Sequence, residues 1–244
     1  MKKVLFLALA AALLSGCAEK GASLKMITEA TFPPYEFLRG SEIVGIDVEI
    51  CKAVAKKLGR EFAVESVNFD SVIPTVISGK ADLAAAGITV TEDRKKNVDF
   101  SVPYVKTGVV FVYKKATPYA KGTDAKGKKV GVQSGTTSET FVTETLEQQP
   151  ERFDSPAAAV AALKAGRVDV VIADIDPAKN CVKGEADLAL SGFITSEEYA
   201  VAIRKGQPEL LKAINETIAE VKADGRLAKW VADYTAEADK LKEK

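Results

Sequence analysis

The run AAAGITVTEDRKKNVDFS, residues 84–101, opens as an apolar strand, breaks at Gly87 and carries one arginine, Arg94, into a charged turn. Those residue types suit the capture of a small ligand that carries a carboxylate. Glycine lets the backbone come close to a ligand, the Thr89 hydroxyl donates or accepts, and the planar fork of Arg94 matches the two oxygens of a carboxylate. Lysine grips only as a point charge, so Lys95 and Lys96 are read as surface residues. A competing reading takes TEDRKK as a solvated charged turn. A second loop, GVQSGTTSET at 131–140, sets glycine and hydroxyl groups between a strand and a helix start, where unpaired N–H groups favour an anion. It lacks the Gly-Lys-Ser/Thr ending of a P-loop, and Thr137 or Ser138 also fits as a plain helix cap. Asp174, which ends the strand VVIAD, suits an ammonium; its alternative is to cap the helix after Pro177.

Other chemistries lack their residues. With no histidine in the chain, a Ser-His-Asp arrangement is excluded, and no catalytic residue is assigned. Cys51 and Cys181 have neither a histidine nor a CxxC partner, so metal and redox sites have no support and no cofactor is expected. An exported protein can form disulfides, but two buried thiols in helical segments are the preferred reading. Acidic and basic side chains number 34 each, without the basic excess of a nucleic-acid binder. The 244 residues are enough for one or two compact cores.

The N-terminus indicates export. MKK is a short positive region, VLFLALAAALL an apolar stretch too short to span a bilayer, and Ser15-Gly16 the small residues a signal peptidase needs. The ending LSGC resembles a bacterial lipobox, which makes residues 1–17 a signal segment ending in a lipid-modified Cys17. An ordinary cleavage site beside an unmodified cysteine is the alternative. The mature protein is expected outside the cytoplasm, periplasmic or at the cell surface, held to the membrane only by lipid.

Beyond residue 23 the apolar pattern alternates between strand and helix periods. LKMITEA, EFAVESV and ADLAAAGI read as strands, IDVEICKAVAKKLG as a helix closed by Gly59, and FDSVIPTVISGK as a helix with Pro74 near its start. After TGVVFVYKK the pattern restarts with KKVGVQ, TSETFVTETL, PAAAVAALKAG and RVDVVIAD. The alternation points to parallel sheets covered by helices. SGKADLAAAG, aligned on AGRVDVVIAD at an offset of 87 residues, matches Gly79 to Gly166 and Gly87 to Asp174. That offset suits two similar lobes. In open α/β sheets ligands bind beyond the carboxyl ends of strands, so facing lobes would bring Gly87 and Asp174 to one cleft.

Taken in order, TEATFPPYEF, VGIDVEICKAVAKKLG, FDSVIPTVISGKADLAAAGITVTEDRKKNVDFSVPY, GKKVGVQSGTTSE, LKAGRVDVVIAD and EEYAVAIRKGQPELLKAINETIAEVKADGRLAKW resemble the polar amino-acid family, family 3, of bacterial extracellular solute-binding proteins. The resemblance implies an α/β, two-lobed periplasmic-binding-protein-like fold of type II, with two parallel-sheet lobes joined by two hinge strands. Lobe 1 would comprise residues 24–105 and 198–244, and lobe 2 residues 106–197. It implies hinge closure on an amino acid and delivery to the membrane permease of an ABC importer, by a protein expected to be a monomer. By motif match Arg94 would clamp the α-carboxylate with Thr89 and the amides of Thr136 and Thr137. Asp174, the Gly87 carbonyl and Thr89 would take the α-ammonium. Phe32, Tyr35 and Phe69 would wall the side-chain pocket, with Gln133 at the ligand's distal end.

Glu29 matches a position where the family often faces the ligand side chain with an acidic or polar group. A buried carboxylate there favours a cationic amino acid. AAGIT also resembles a glutamine-binding branch, and a glutamate at this place occurs in cystine-binding relatives, so both remain open. A solute-binding-fold enzyme of the cyclohexadienyl dehydratase type is a further alternative. A sensory module working through a separate membrane partner is another.

Overall fold

The computed structural model describes residues 22–240; the signal segment with Cys17 and residues 241–244 lie outside them. The first lobe is built on a five-stranded sheet in the order Phe62–Ser66, Leu24–Thr28, Leu83–Ala84, Ala202–Arg204, Val98–Phe100. Its first three strands run parallel, in register Met26 with Val64 and with Leu83. The helix Ile46–Lys57 buries Val48, Cys51, Val54 and Ala55 against one face and ends at Gly59, whose φ of +65° few other residues adopt. The helix Phe69–Ile77 covers the other face through Val72 and Val76. A small meander, Thr31–Phe32, Glu36–Arg39 and Glu42–Val44, is the third sheet.

The second lobe has its own sheet, in the order Glu151–Phe153, Val130–Gln133, Val170–Asp174, Val105–Lys114, Leu188–Leu190. Separate apolar clusters lie on its two faces, one with the helix Pro156–Lys164 and one with Tyr119, Val142 and Leu146. Both sheets are mixed, where the alternation had suggested purely parallel ones. The chain enters the second lobe along Val105–Lys114, which runs antiparallel to Val170–Asp174, and returns along Thr195–Tyr199, paired antiparallel with Val105–Val109. Ala202–Arg204 then joins the first sheet antiparallel to Leu83–Ala84.

The sequence echo has a structural counterpart. Each matched strand is the central one of its sheet. Gly79 and Gly166 both adopt φ +75° and stop the preceding helix with the same bonds, Gly79 N–H to Val76 O and Gly166 N–H to Leu163 O. Pro74 lies well inside the helix Phe69–Ile77 and not at its start. Cys51 belongs to the core of the first lobe and Cys181 packs on that of the second, and they form no disulfide.

The C-terminal helix packs on the first lobe despite its many charges. In the helix Arg226–Lys240, Tyr234 is buried edge-on against Phe37 at 6.1 Å and donates to Glu49 at 3.1 Å. Arg39 pairs with Glu237 through both carboxylate oxygens. The pattern LxxxxxxYxxxA brings Leu227, Tyr234 and Ala238 onto one buried stripe at helical spacing.

Candidate ligand site

A narrow cavity lies where the two central strands end. Phe32, Phe69, Gly87, Thr89, Arg94, Gln133, Thr136, Thr137 and Asp174 line it, drawn from both lobes. Glu29 and Tyr35 lie just outside that lining. A broader, open groove on the other side of Arg94 carries Lys95, Lys96, Lys106 and Glu198, all exposed.

Arg94 sits on a single turn, Glu92–Lys95, capped by Thr91, whose hydroxyl accepts the Arg94 N–H at 3.1 Å. The turn aims the guanidinium back into the cleft. Nη1 donates to Thr89 O at 2.8 Å, Nη2 to Gly135 O of the other lobe at 3.0 Å, and the plane lies 5.6 Å from the centre of the Phe69 ring. Two of its five N–H groups are engaged, which leaves three for an anion. Burial lowers its pKa, opposed by Glu197 and Asp174, and an arginine so shifted remains a cation. Lys95 and Lys96 pair with Glu92 and Asp93 at the surface, as read from sequence.

Asp174 ends its strand directly before the helix Ile175–Val182, but its side chain caps nothing. Instead it accepts the Tyr199 hydroxyl at 2.5 Å. Burial is the main cause that pushes its pKa up to about 7; Glu197 adds to the rise, and the Tyr199 bond and Arg94 oppose it. Thr89 donates its hydroxyl to Glu197 Oε2 at 2.5 Å, so its lone pairs are the part left to meet a ligand. Glu197 and Tyr199 were not anticipated from sequence. They alternate inward along the returning strand, with Glu198 between them exposed, a period of two that the four successive polar residues of TSEEY do not display in sequence.

The glycine-rich loop closes the site from the second lobe. Thr136, rather than Thr137 or Ser138, is the helix cap; it accepts the Glu139 N–H and donates to Gln133 O at 2.8 Å. Gly135, at φ +76°, lies so near the first lobe that a Cβ would come 2.9 Å from Asp70 Cα. Gln133 ends its strand and donates to Asp154 O at 3.0 Å. Glu29 is 5 % exposed; Oε1 accepts the Thr31 hydroxyl at 2.5 Å, while the buried Oε2 meets no donor in good hydrogen-bond geometry among the described residues, the Gln133 amide being its neighbour. Burial raises its pKa, and bonds from Thr31 and Gln133 work against the rise.

Away from the cavity, one helix of the second lobe bonds to the first. Tyr35 donates to Asp176 at 2.8 Å, Asn180 to Pro33 O at 2.8 Å, and Lys183 to Asp239 O at 3.1 Å. Tyr35 thus spans the lobes through its hydroxyl while its ring packs on Phe32 and Tyr199.

Residues 24–237 match the family model of bacterial extracellular solute-binding proteins, family 3, and residues 1–18 that of the prokaryotic membrane lipoprotein lipid attachment site. The chain is 35% identical to the L-cystine-binding protein TcyJ of Escherichia coli (strain K12), over 91% of this chain and 88% of that protein. It is 32% identical to ABC transporter arginine-binding protein 1 of the same strain, over 94% and 97%. The crystal structure of an amino acid ABC transporter substrate-binding protein, AbpA, from Streptococcus pneumoniae, bound to L-arginine, superposes with a TM-score of 0.81 at 35% identity, covering 90% of this chain and 96% of that one. The two-lobed α/β fold, the lipid attachment site of an exported protein and the extent of these matches agree: the chain belongs to family 3 of the bacterial extracellular solute-binding proteins.

Proposed function

We propose that the protein binds a cationic L-amino acid, arginine foremost, between its lobes and delivers it to an ABC importer, without turning it over. In this reading Arg94 takes the α-carboxylate with the Thr136–Thr137 loop, and Asp174, Thr89 and the Gly87 carbonyl take the ammonium. Phe32 and Phe69 flank the side chain, and Gln133 and Glu29 meet its far end. The single observation that carries it is the buried Glu29 Oε2, which meets no donor in good hydrogen-bond geometry among the described residues. A buried carboxylate oxygen gains most from a charged donor, which a guanidinium or ammonium side chain supplies. Glu29, Asp174 and Glu197 outnumber the one guanidinium at the cleft, so a ligand with an extra positive charge also balances it better than a neutral one. The moving bodies are residues 24–105 with 198–244 and residues 106–197, closing as monomers about the paired strands.

Thermal unfolding of the mature protein against the twenty amino acids, ornithine and cystine tests this, since a ligand that binds only the folded state raises its melting temperature. Arginine, lysine or ornithine should give the largest shift. A larger shift with cystine or glutamine sinks the cationic assignment, and unchanged arginine recovered after incubation checks the absence of turnover.

A further inference from the structure

Behind the cavity, inside the first lobe and outside the cavity lining, lies a group of carboxyl side chains. Asp47, in the first turn of the helix Ile46–Lys57, accepts the Gly87 N–H on Oδ2 at 3.0 Å. Glu36, on the strand Glu36–Arg39, lies beside Asp47, whose backbone N–H donates to Tyr35 O at 3.0 Å, and both side chains are fully buried. Neither oxygen of Glu36 nor Oδ1 of Asp47 meets an N–H or O–H in good geometry among the described residues, and the Tyr104 hydroxyl, which faces Asp47, also falls short of it. Two ionised carboxylates in such a place would repel each other out of reach of water. Their closeness therefore requires a proton on one of them.

We propose that Glu36 and Asp47 share one proton, carried by Glu36 and donated to Asp47, and that this pair is the positioning device that fixes the Gly87 peptide for the ligand. Only the last clause rests on the amino-acid reading. The helix N-terminus favours the negative charge on Asp47 and leaves the proton on the strand residue. Burial acts the same way, holding Glu36 well above the carboxylate range and Asp47 at about 6. The groups facing the pair are Tyr104, Cys51 and Tyr35, with Glu29 and Asp174 beyond; burial keeps the three hydroxyl and thiol groups neutral. On its other side Gly87 has no slack, because at φ +53° a Cβ would come 2.7 Å from the Phe32 ring. Asp47 from within and Phe32 from the cleft thus grip one peptide between them.

Infrared difference spectra of the ligand-free protein at about pH 8, where ordinary carboxylic acids are ionised, report the proton directly. Wild type minus Glu36→Gln should show a protonated-carboxyl C=O band. Asp47→Asn should remove the same band, since its amide gives Gly87 an acceptor and Glu36 a donor, letting Glu36 ionise. Both variants should hold arginine within about threefold of wild type, whereas Asp47→Ala, which leaves the Gly87 N–H unmet, should weaken it about tenfold. A band that persists in both amide variants, or is missing from wild type, overturns the shared proton. Wild-type affinity in Asp47→Ala overturns the positioning role. Should Asp47→Ala fail to fold, the Gly87 amide resonance of the wild type decides: it should move as Asp47 titrates, and indifference to that titration overturns the proposal. A wild type that binds no amino acid sinks the functional reading alone, while the infrared band still decides the proton.

Discussion

Removing the Arg94 guanidinium tests what the cleft grips. In Arg94→Ala a bound amino acid loses two charge-assisted hydrogen bonds to its carboxylate, each worth about 1.5–3 kcal/mol. The loss of about 3–6 kcal/mol corresponds to an affinity roughly 150- to 20,000-fold lower. The cross-lobe bond from Nη2 to Gly135 O goes too, and contributes about 1 kcal/mol to closure whatever the ligand carries. Agmatine, which is arginine without its carboxylate, separates the two effects. Against agmatine the variant should lose only the smaller part, about fivefold, because there is no carboxylate for Arg94 to hold. Titration calorimetry of both ligands on both proteins closes a double-mutant cycle whose coupling energy belongs to the arginine–carboxylate pair. The fold should survive, since Arg94 sits on one surface turn with exposed neighbours. Equal losses for arginine and agmatine would refute the carboxylate assignment.

Gly135→Ala should impair closure, because the new Cβ meets Asp70 backbone at 2.9 Å and the φ of +76° is strained for alanine; small-angle scattering with arginine should show a more extended particle than wild type. Asp174 has a folded pKa above its unfolded value of 3.8, so its share of stability is present below that value and lost as pH rises through about 7. Lowering pH from about 7 to 5 should therefore favour the ligand-free fold through this group while weakening arginine binding, which needs the carboxylate; an affinity flat over that range counts against Asp174 as the ammonium partner. Tyr234→Ala deletes a buried aromatic contact between the last helix and Phe37, at a cost of about 3 kcal/mol, and calorimetry should find a melting temperature lower by about 6–12 °C.

The sequence made the two-lobed plan legible because the helix-stopping glycines Gly79 and Gly166 and the strands after them recur as one pattern, and each strand became the centre of its sheet. Gly87, Thr89, Arg94 and Asp174 could be named because their chemistry is local: a strand end, a fork and an acid. Glu197 and Tyr199 escaped notice because they act on Thr89 and Asp174 from a strand that pairs far away in the chain. Glu36 and Asp47 drew no notice in the sequence, where Asp47 is one residue of a helix start, since nothing local marks an acid that will be buried. The buried stripe of the last helix is hard to see in sequence because its few apolar residues are spaced widely, and only the fold presents Phe37 and Arg39 to receive Tyr234 and Glu237.

Asp176 and Asn180, four apart on the helix Ile175–Val182, and Lys183 directly after its end each bond to the opposite lobe away from the cavity. These bonds form whenever the lobes meet, irrespective of what lies between them, so they act as a set-point on the affinity for every ligand alike. Each bond removed should shift all dissociation constants by one common factor of about five. The concentration at which supply to an importer begins can thus be adjusted on the outside of the molecule, with its choice of ligand untouched.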